Sequence, residues 1–291
     1  MNKPTSLTDL SAAIADLVAR GAPSTVVIHS DHSRSSGFVW RTGLIVTADE
    51  SLSEEGSFVV TLPGGDTVAA ELVGRDPTTD IALLRVEVDV PPLSLATSPL
   101  TVGALVLAVG AEDGTSTAAL GLVSRASGPW RSLRGGEIDA RIELDLRLRR
   151  SAEGGVVLDA AGAAIGMAVF GPRRRVLVIP TATIERVAPK LVEHGRIPRG
   201  YLGLGLQPIT LEGGEESGVM IMSVDPRGPS ARAGLHQGDI LVDWNGEPIR
   251  HVQSLLRALG PDSVGHTVTL GLRRAGNRQQ VPLTIAERPT P

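Results

Sequence analysis

Between residues 25 and 179 the chain is cut into short apolar runs, each too brief for a helix of several turns. The runs lie at 25–29, 37–40, 44–47, 58–62, 68–73, 81–86, 105–109, 119–123, 138–144, 155–158, 165–169 and 176–179. Four to seven residues is strand length, and Gly, Pro, Asp and Ser punctuate the gaps. Pro63-Gly64-Gly65-Asp66, set between two alternating runs, has the composition of a hairpin turn. The 34 glycines and 20 prolines supply turns throughout. Strands in succession, without helices between them, pair antiparallel, and closure removes their exposed edges. The pattern predicts a mostly β fold built from paired six-stranded barrels.

Two helical segments flank this region. Leu7, Leu10, Ala13, Ile14, Leu17 and Val18 recur at helical spacing, while Asp9 and Asp16 break the apolar stretch that a signal peptide would need. Residues 182–194 form a closing helix that stops at Gly195. The predicted organisation is a helical segment at 1–22, a barrel domain at 23–195, a linker at 196–200 and a second domain at 201–291. No run reaches the roughly 18 apolar residues of a membrane span. A net charge of -4, with both signs dispersed, gives no footprint for nucleic acid. The absence of cysteine excludes disulfides, thiolate chemistry and cysteine-held zinc, and fits a reducing compartment. The expected location is the cytoplasm, with the periplasm as the alternative if an export signal precedes Met1.

Four motifs carry a family resemblance. Residues 142–158 read IELDLRLRRSAEGGVVL, a strand, a bend at Gly154-Gly155 and a second strand. Thr47-Ala48-Asp49-Glu50 follows the 44–47 run, and Asp76-Pro77-Thr78-Thr79-Asp80-Ile81-Ala82 precedes the sixth. Beyond the linker, YLGLGLQPI is followed by Ala233-Gly234-Leu235, Gly238-Asp239 and Asn245-Gly246 in order. Together these resemble the HtrA family of trypsin-like proteases with one C-terminal PDZ domain. The resemblance implies a double six-stranded β-barrel followed by an α+β PDZ domain.

The resemblance also implies roles for individual positions. The family's loop reads GNSGGPL, which sets Ser151 at the first glycine, Ala152 at the asparagine, Glu153 at the nucleophile and Val156 at the proline. A T-x-x-H sequence delivers the general base, so Glu50 stands in the histidine slot, and Asp80 matches the third triad member. Acyl transfer needs a hydroxyl or thiol and a base to take its proton. Glu153 has neither group, and Ser151 and Ala152 alter the loop that supplies oxyanion amides. The expectation is therefore a catalytically inactive chain, not an enzyme, kept as a binding or regulatory scaffold and needing no cofactor.

Two alternatives stand beside that expectation. One is an active serine-type endopeptidase or hydrolase using an unorthodox nucleophile. The other is a carboxylate metal site formed by Glu50, Asp80 and Glu153, whose mutual repulsion needs relief by a raised pKa, an arginine or a cation. Arginine pairing ranks above the metal, with Arg149 or Arg150 as the partner of Glu153. His32, beside Asp31 and Ser33, reads as a solvated loop histidine, and 173–175 as an exposed turn.

By the same resemblance, Tyr201, Leu202, Gly203 and Leu204 form the loop that holds a peptide's terminal carboxylate. The strand that follows, to about Gln207, pairs with the peptide, and Leu255, Leu256 and Leu259 close the groove. The implied partners are peptide C-termini or unfolded segments. Assembly as a trimer, or mixed with active relatives, involves residues 7–19.

Overall fold

The computed structural model describes residues 6–31, 33–54, 56–88, 90–96, 100–210 and 217–289, so His32 lies outside the described residues. The chain forms two compact units, Met1–Ile197 and Pro198–Pro291. The first opens with helix α1 (Leu7–Gly21), capped by Ser6 and Asp9 bonding each other's backbone amides. Strands β1 (Thr25–Ser30), β2 (Ser33–Arg41), β3 (Leu44–Thr47), β4 (Phe58–Thr61), β5 (Thr67–Asp76) and β6 (Ile81–Arg85) close a barrel in the order β1-β2-β3-β6-β5-β4. The second barrel uses β7 (Leu105–Glu112) and β8 (Thr115–Ser127). A small hairpin of β9 (Trp130–Arg131) and β10 (Glu137–Ile138) follows. Strands β11 (Arg141–Asp145), β12 (Val156–Asp159), β13 (Ala164–Phe170) and β14 (Val176–Pro180) complete that barrel, in the order β11-β14-β13-β12-β7-β8. Helix α2 (Thr181–His194) then buries Ile184, Val187, Ala188 and Leu191 and ends at Gly195 in the left-handed region.

The uninterrupted apolar runs have a packing cause. Phe38 and Trp40 of β2, Val46 of β3, and Ile81 and Leu83 of β6 share one core with Val109, Val156, Leu158, Met167, Val169 and Ile179 of the second barrel. The residues between them face the other way: Val39, Ile45, Ala82 and Leu84 pack only with first-barrel residues. Ala108, Val157, Ala168 and Val178 likewise pack within the second. Strands at the seam bury both faces, so successive side chains enter different cores and polar alternation disappears. Each large side chain buried there contributes about 1.5–3 kcal/mol.

In the second unit, β15 (Gly200–Tyr201) pairs with β22 (Ala286–Glu287). The main sheet runs β16 (Leu204–Thr210), β17 (Ser217–Val224), β18 (Ile240–Trp244), β20 (Thr267–Arg274) and β21 (Asn277–Thr284), with the short β19 (Glu247–Pro248) beside β18. Helices α3 (Pro229–Arg232) and α4 (Val252–Ala258) accompany it. Leu202, Val219, Ile221, Leu241, Leu255, Leu270 and Ile285 share its separate core. The mostly β fold, two six-stranded barrels followed by an α+β unit, agrees with the reading of the sequence.

Candidate functional site

Three segments at the barrel seam bring Glu50, Asp80 and Glu153 together. The chain leaves β3 through a 3-10 turn, Asp49–Ser51. Asp49 is buried and bonded to the Arg75 guanidinium, yet desolvation still holds its carboxyl above the ordinary range. Glu50, the next residue, stays half exposed, and its carboxylate meets Arg134 at 3.2 Å. Arg134 lies in the β9–β10 hairpin, outside the residues that the sequence pointed to.

Asp80 ends the tight turn between β5 and β6. Asp76 builds that turn: its carboxylate accepts from the Thr78 amide at 3.1 Å, the Thr78 hydroxyl at 2.6 Å and the Thr79 hydroxyl at 2.8 Å. This explains the aspartate and paired threonines of the motif, since the side chains replace backbone bonds that the turn cannot make. Asp80 itself has φ +59°, a left-handed conformation that aspartate tolerates better than most residues. Its Oδ1 accepts the Glu50 amide at 2.8 Å. Burial pushes the Asp80 carboxyl up to about 8, the nearby Glu50, Glu153 and Asp49 charges push the same way, and the Glu50 amide opposes them. At neutral pH the group therefore carries its proton for most of the time. That proton relieves the repulsion within the cluster.

Glu153 follows a 3-10 turn, Arg150–Ala152. Its carbonyl accepts the Ser36 amide at 2.8 Å, and its carboxylate accepts the Phe170 amide at 3.2 Å. Burial raises its pKa and that amide lowers it, with the Glu50 charge raising it and the Arg150 and Arg174 charges lowering it. Gly154 has φ +82°, and a Cβ there would stand 2.2 Å from the Ser36 carbonyl oxygen, so only glycine fits. The Ala152 and Glu153 amides donate to the Arg149 and Arg150 carbonyls, at 3.0 and 3.2 Å. In this conformation those two donors serve the turn itself. Ser36, fully buried, ties the loop down: its hydroxyl donates to the Ser151 carbonyl at 2.6 Å and accepts the Ala111 amide at 2.9 Å. Nothing in the Ser35-Ser36 pair marks that role in the sequence, because both bonds reach across more than 70 residues.

One expectation about this cluster is corrected. Arg149 does not pair with Glu153; it turns outward to Glu112 at 3.3 Å. Arg150 acts on Glu153 through its charge, and among the described residues neither arginine bonds it. The arginine of the cluster is instead Arg134, on Glu50. Among the described residues no group of three or more His, Asp or Glu is arranged to hold an ion.

In the second unit, Leu202 is buried in the core and Gly203 has φ +75°. The Leu202 and Gly203 carbonyls accept the Ser230 and Asp225 amides, at 3.1 and 2.8 Å, and the Tyr201 hydroxyl donates to Asp225 at 2.9 Å. Leu204 is partly buried against the core, and β16 is the outer strand of its sheet. On α4, Leu255 is only 1% exposed and belongs to the core, Leu256 is 58% exposed, and Leu259 is partly buried. Of the three leucines expected to close the groove, Leu255 thus faces the core of the unit.

Comparison with known proteins locates a trypsin-like peptidase domain at residues 35–167 and a PDZ domain at 200–285. A probable periplasmic serine endoprotease, DegP-like, from Bartonella henselae is 32% identical over 296 residues, covering 94% of this chain and 58% of that protein. Its counterpart from Brucella suis is 30% identical over 275 residues, covering 88% and 53%. The chain thus spans little more than half the length of these relatives. Among solved structures, the serine endoprotease from Yersinia pestis is 26% identical with a TM-score of 0.75, over 99% of this chain and 100% of that one. The HtrA-type protease AlgW with tripeptide is 26% identical with a TM-score of 0.70, over 96% and 98%.

These names overturn two readings of the sequence. The relatives are named periplasmic, which corrects the expectation of the cytoplasm. They are also named serine endoproteases, which corrects the expectation of a chain that is not an enzyme. A trypsin-like peptidase domain followed by a PDZ domain, with these relatives, makes the chain a homologue of the HtrA-type, DegP-like serine endoproteases.

Proposed function

We propose that this chain captures the C-terminal ends of peptides or unfolded protein segments in the periplasm, in a groove of its PDZ domain between β16 and α4. The observation that carries the reading is the edge position of β16, directly after the Tyr201–Leu204 loop. An edge strand offers unpaired backbone groups to an incoming strand. The carbonyls of Leu202 and Gly203 are tied inward, so the loop turns its amide side toward the end of that strand. Pro208 has no N–H to give and is tolerated at an edge, which limits pairing to the stretch before it, near Gln207. Leu256 and Leu259 supply apolar surface for the last side chain. Fluorescence anisotropy with a labelled peptide, free at its C-terminus or amidated, tests the reading. Amidation is expected to weaken binding by roughly ten-fold or more, the loss of a charge-assisted contact. Equal binding of the two forms would sink it.

The same reading assigns Glu50, Asp80 and Glu153 to the base, acid and nucleophile positions of a trypsin-like cleft. Their convergence at the barrel seam supports the assignment. The double substitution E50H/E153S supplies an imidazole and a hydroxyl beside Asp80, the constellation on which acyl transfer depends. Its expected outcome is labelling at position 153 by a serine-directed phosphonate, above the level in the unsubstituted chain. A folded double variant that takes up no more label than its parent would show that the three positions are wrongly assigned.

A further inference from the structure

The loop before Glu153 and the turn between β13 and β14 face each other across an open hollow of about 560 Å³. Its lining includes Arg147, Arg149, Arg150, Arg174 and Ser151, with Glu112 as the one carboxylate. Four guanidiniums against one carboxylate leave three positive charges in excess, in a chain whose net charge is -4. Arg149 is the member neutralised by Glu112. Among the described residues Arg147, Arg150 and Arg174 form no ion pair.

The hollow is held in shape by both of its walls. Leu148, 6% exposed, anchors the loop in the second barrel's core, while Arg147, Arg149 and Arg150 on either side of it are exposed. Opposite, Arg173 and Arg174 have φ of +58° and +57°. Two consecutive non-glycine residues in the left-handed region are unfavourable and persist only where the surroundings impose them. Arg174 also lies over the Phe170 ring, 5.2 Å from its centroid, which fixes the direction of its guanidinium. Concentrated, unpaired guanidiniums match the fork of a carboxylate, and several of them in one concavity match several carboxylates along a chain.

We propose that this hollow binds the side-chain carboxylates of an acidic peptide segment, independently of the groove in the PDZ domain. The confinement of the excess charge to one concavity, on an otherwise acidic chain, fits a short acidic stretch and not an extended nucleic acid. Glu and Asp side chains bridge the two walls through Arg147, Arg150 and Arg174.

The test uses the full chain and a short fluorescent peptide alternating Glu and Ala, acetylated and amidated at its ends, against its Gln counterpart. Blocking the ends leaves the PDZ groove no terminal carboxylate, so failure here and failure of the C-terminus reading appear in separate titrations. The acidic peptide is expected to bind roughly ten-fold tighter than the amide peptide. R147Q/R150Q, two exposed substitutions checked by thermal melting, is expected to abolish that preference. Equal binding of the two peptides, or a preference that survives in the double variant, overturns the site.

Discussion

Asp80 concentrates the electrostatics of the seam in one carboxyl group. An isolated aspartate titrates near 3.9, and burial beside Glu50, Glu153 and Asp49 raises Asp80 to about 8. The folded chain therefore holds this proton more tightly than the unfolded chain does. Its contribution to stability is complete below pH about 4 and is lost as pH rises through about 8. Asp80→Asn fixes the neutral form: asparagine also tolerates the left-handed backbone and keeps an oxygen for the Glu50 amide. Relative to this variant, the unsubstituted chain should lose up to a few kcal/mol between about pH 5 and pH 9. Urea denaturation at a series of pH values measures the difference. Parallel stability curves would mean that Asp80 titrates normally.

At the scale of the element, the apolar runs located the barrel strands because double-sided burial at the seam left no polar positions to blur them. The turn at 63–66 was legible for the opposite reason: Gly64 and Gly65 adopt φ near +100° at a bend that needs it. What the sequence did not reveal is how neighbouring loops are tied. Arg149 stands four residues from Glu153, yet the 3-10 turn Arg150–Ala152 intervenes and Arg149 reaches Glu112. That turn is held by Ser36, more than 100 residues away along the chain. The β9–β10 hairpin is too short to leave a periodic signal, and it carries Arg134 to Glu50. On α4, leucines in consecutive positions cannot share one face of a helix. Leu255 enters the core, and Leu256 does not. Motif residues were thus visible in the sequence, while their partners arrive from other elements and were not.

At the scale of the whole molecule, the chain divides where one core stops and another begins. Leu202, Val219, Ile221, Leu241, Leu255, Leu270 and Ile285 pack among themselves in the second unit. That unit also closes its own ends. Gly200 and Tyr201 pair with Glu287 and Ala286, and the Arg288 amide donates to the Arg199 carbonyl at 2.8 Å. A core of its own and joined termini are what an autonomous domain requires. A fragment of residues 198–291 should therefore unfold in one cooperative thermal transition, followed by circular dichroism. A fragment beginning at residue 204 lacks both the β15 pairing and Leu202. Losing that buried leucine alone costs about 2–5 kcal/mol, a large share of the stability of a domain this small. Its transition should shift to much lower temperature or vanish. If residues 198–291 melted without cooperativity, the second unit would depend on the barrels for its fold, despite its separate core.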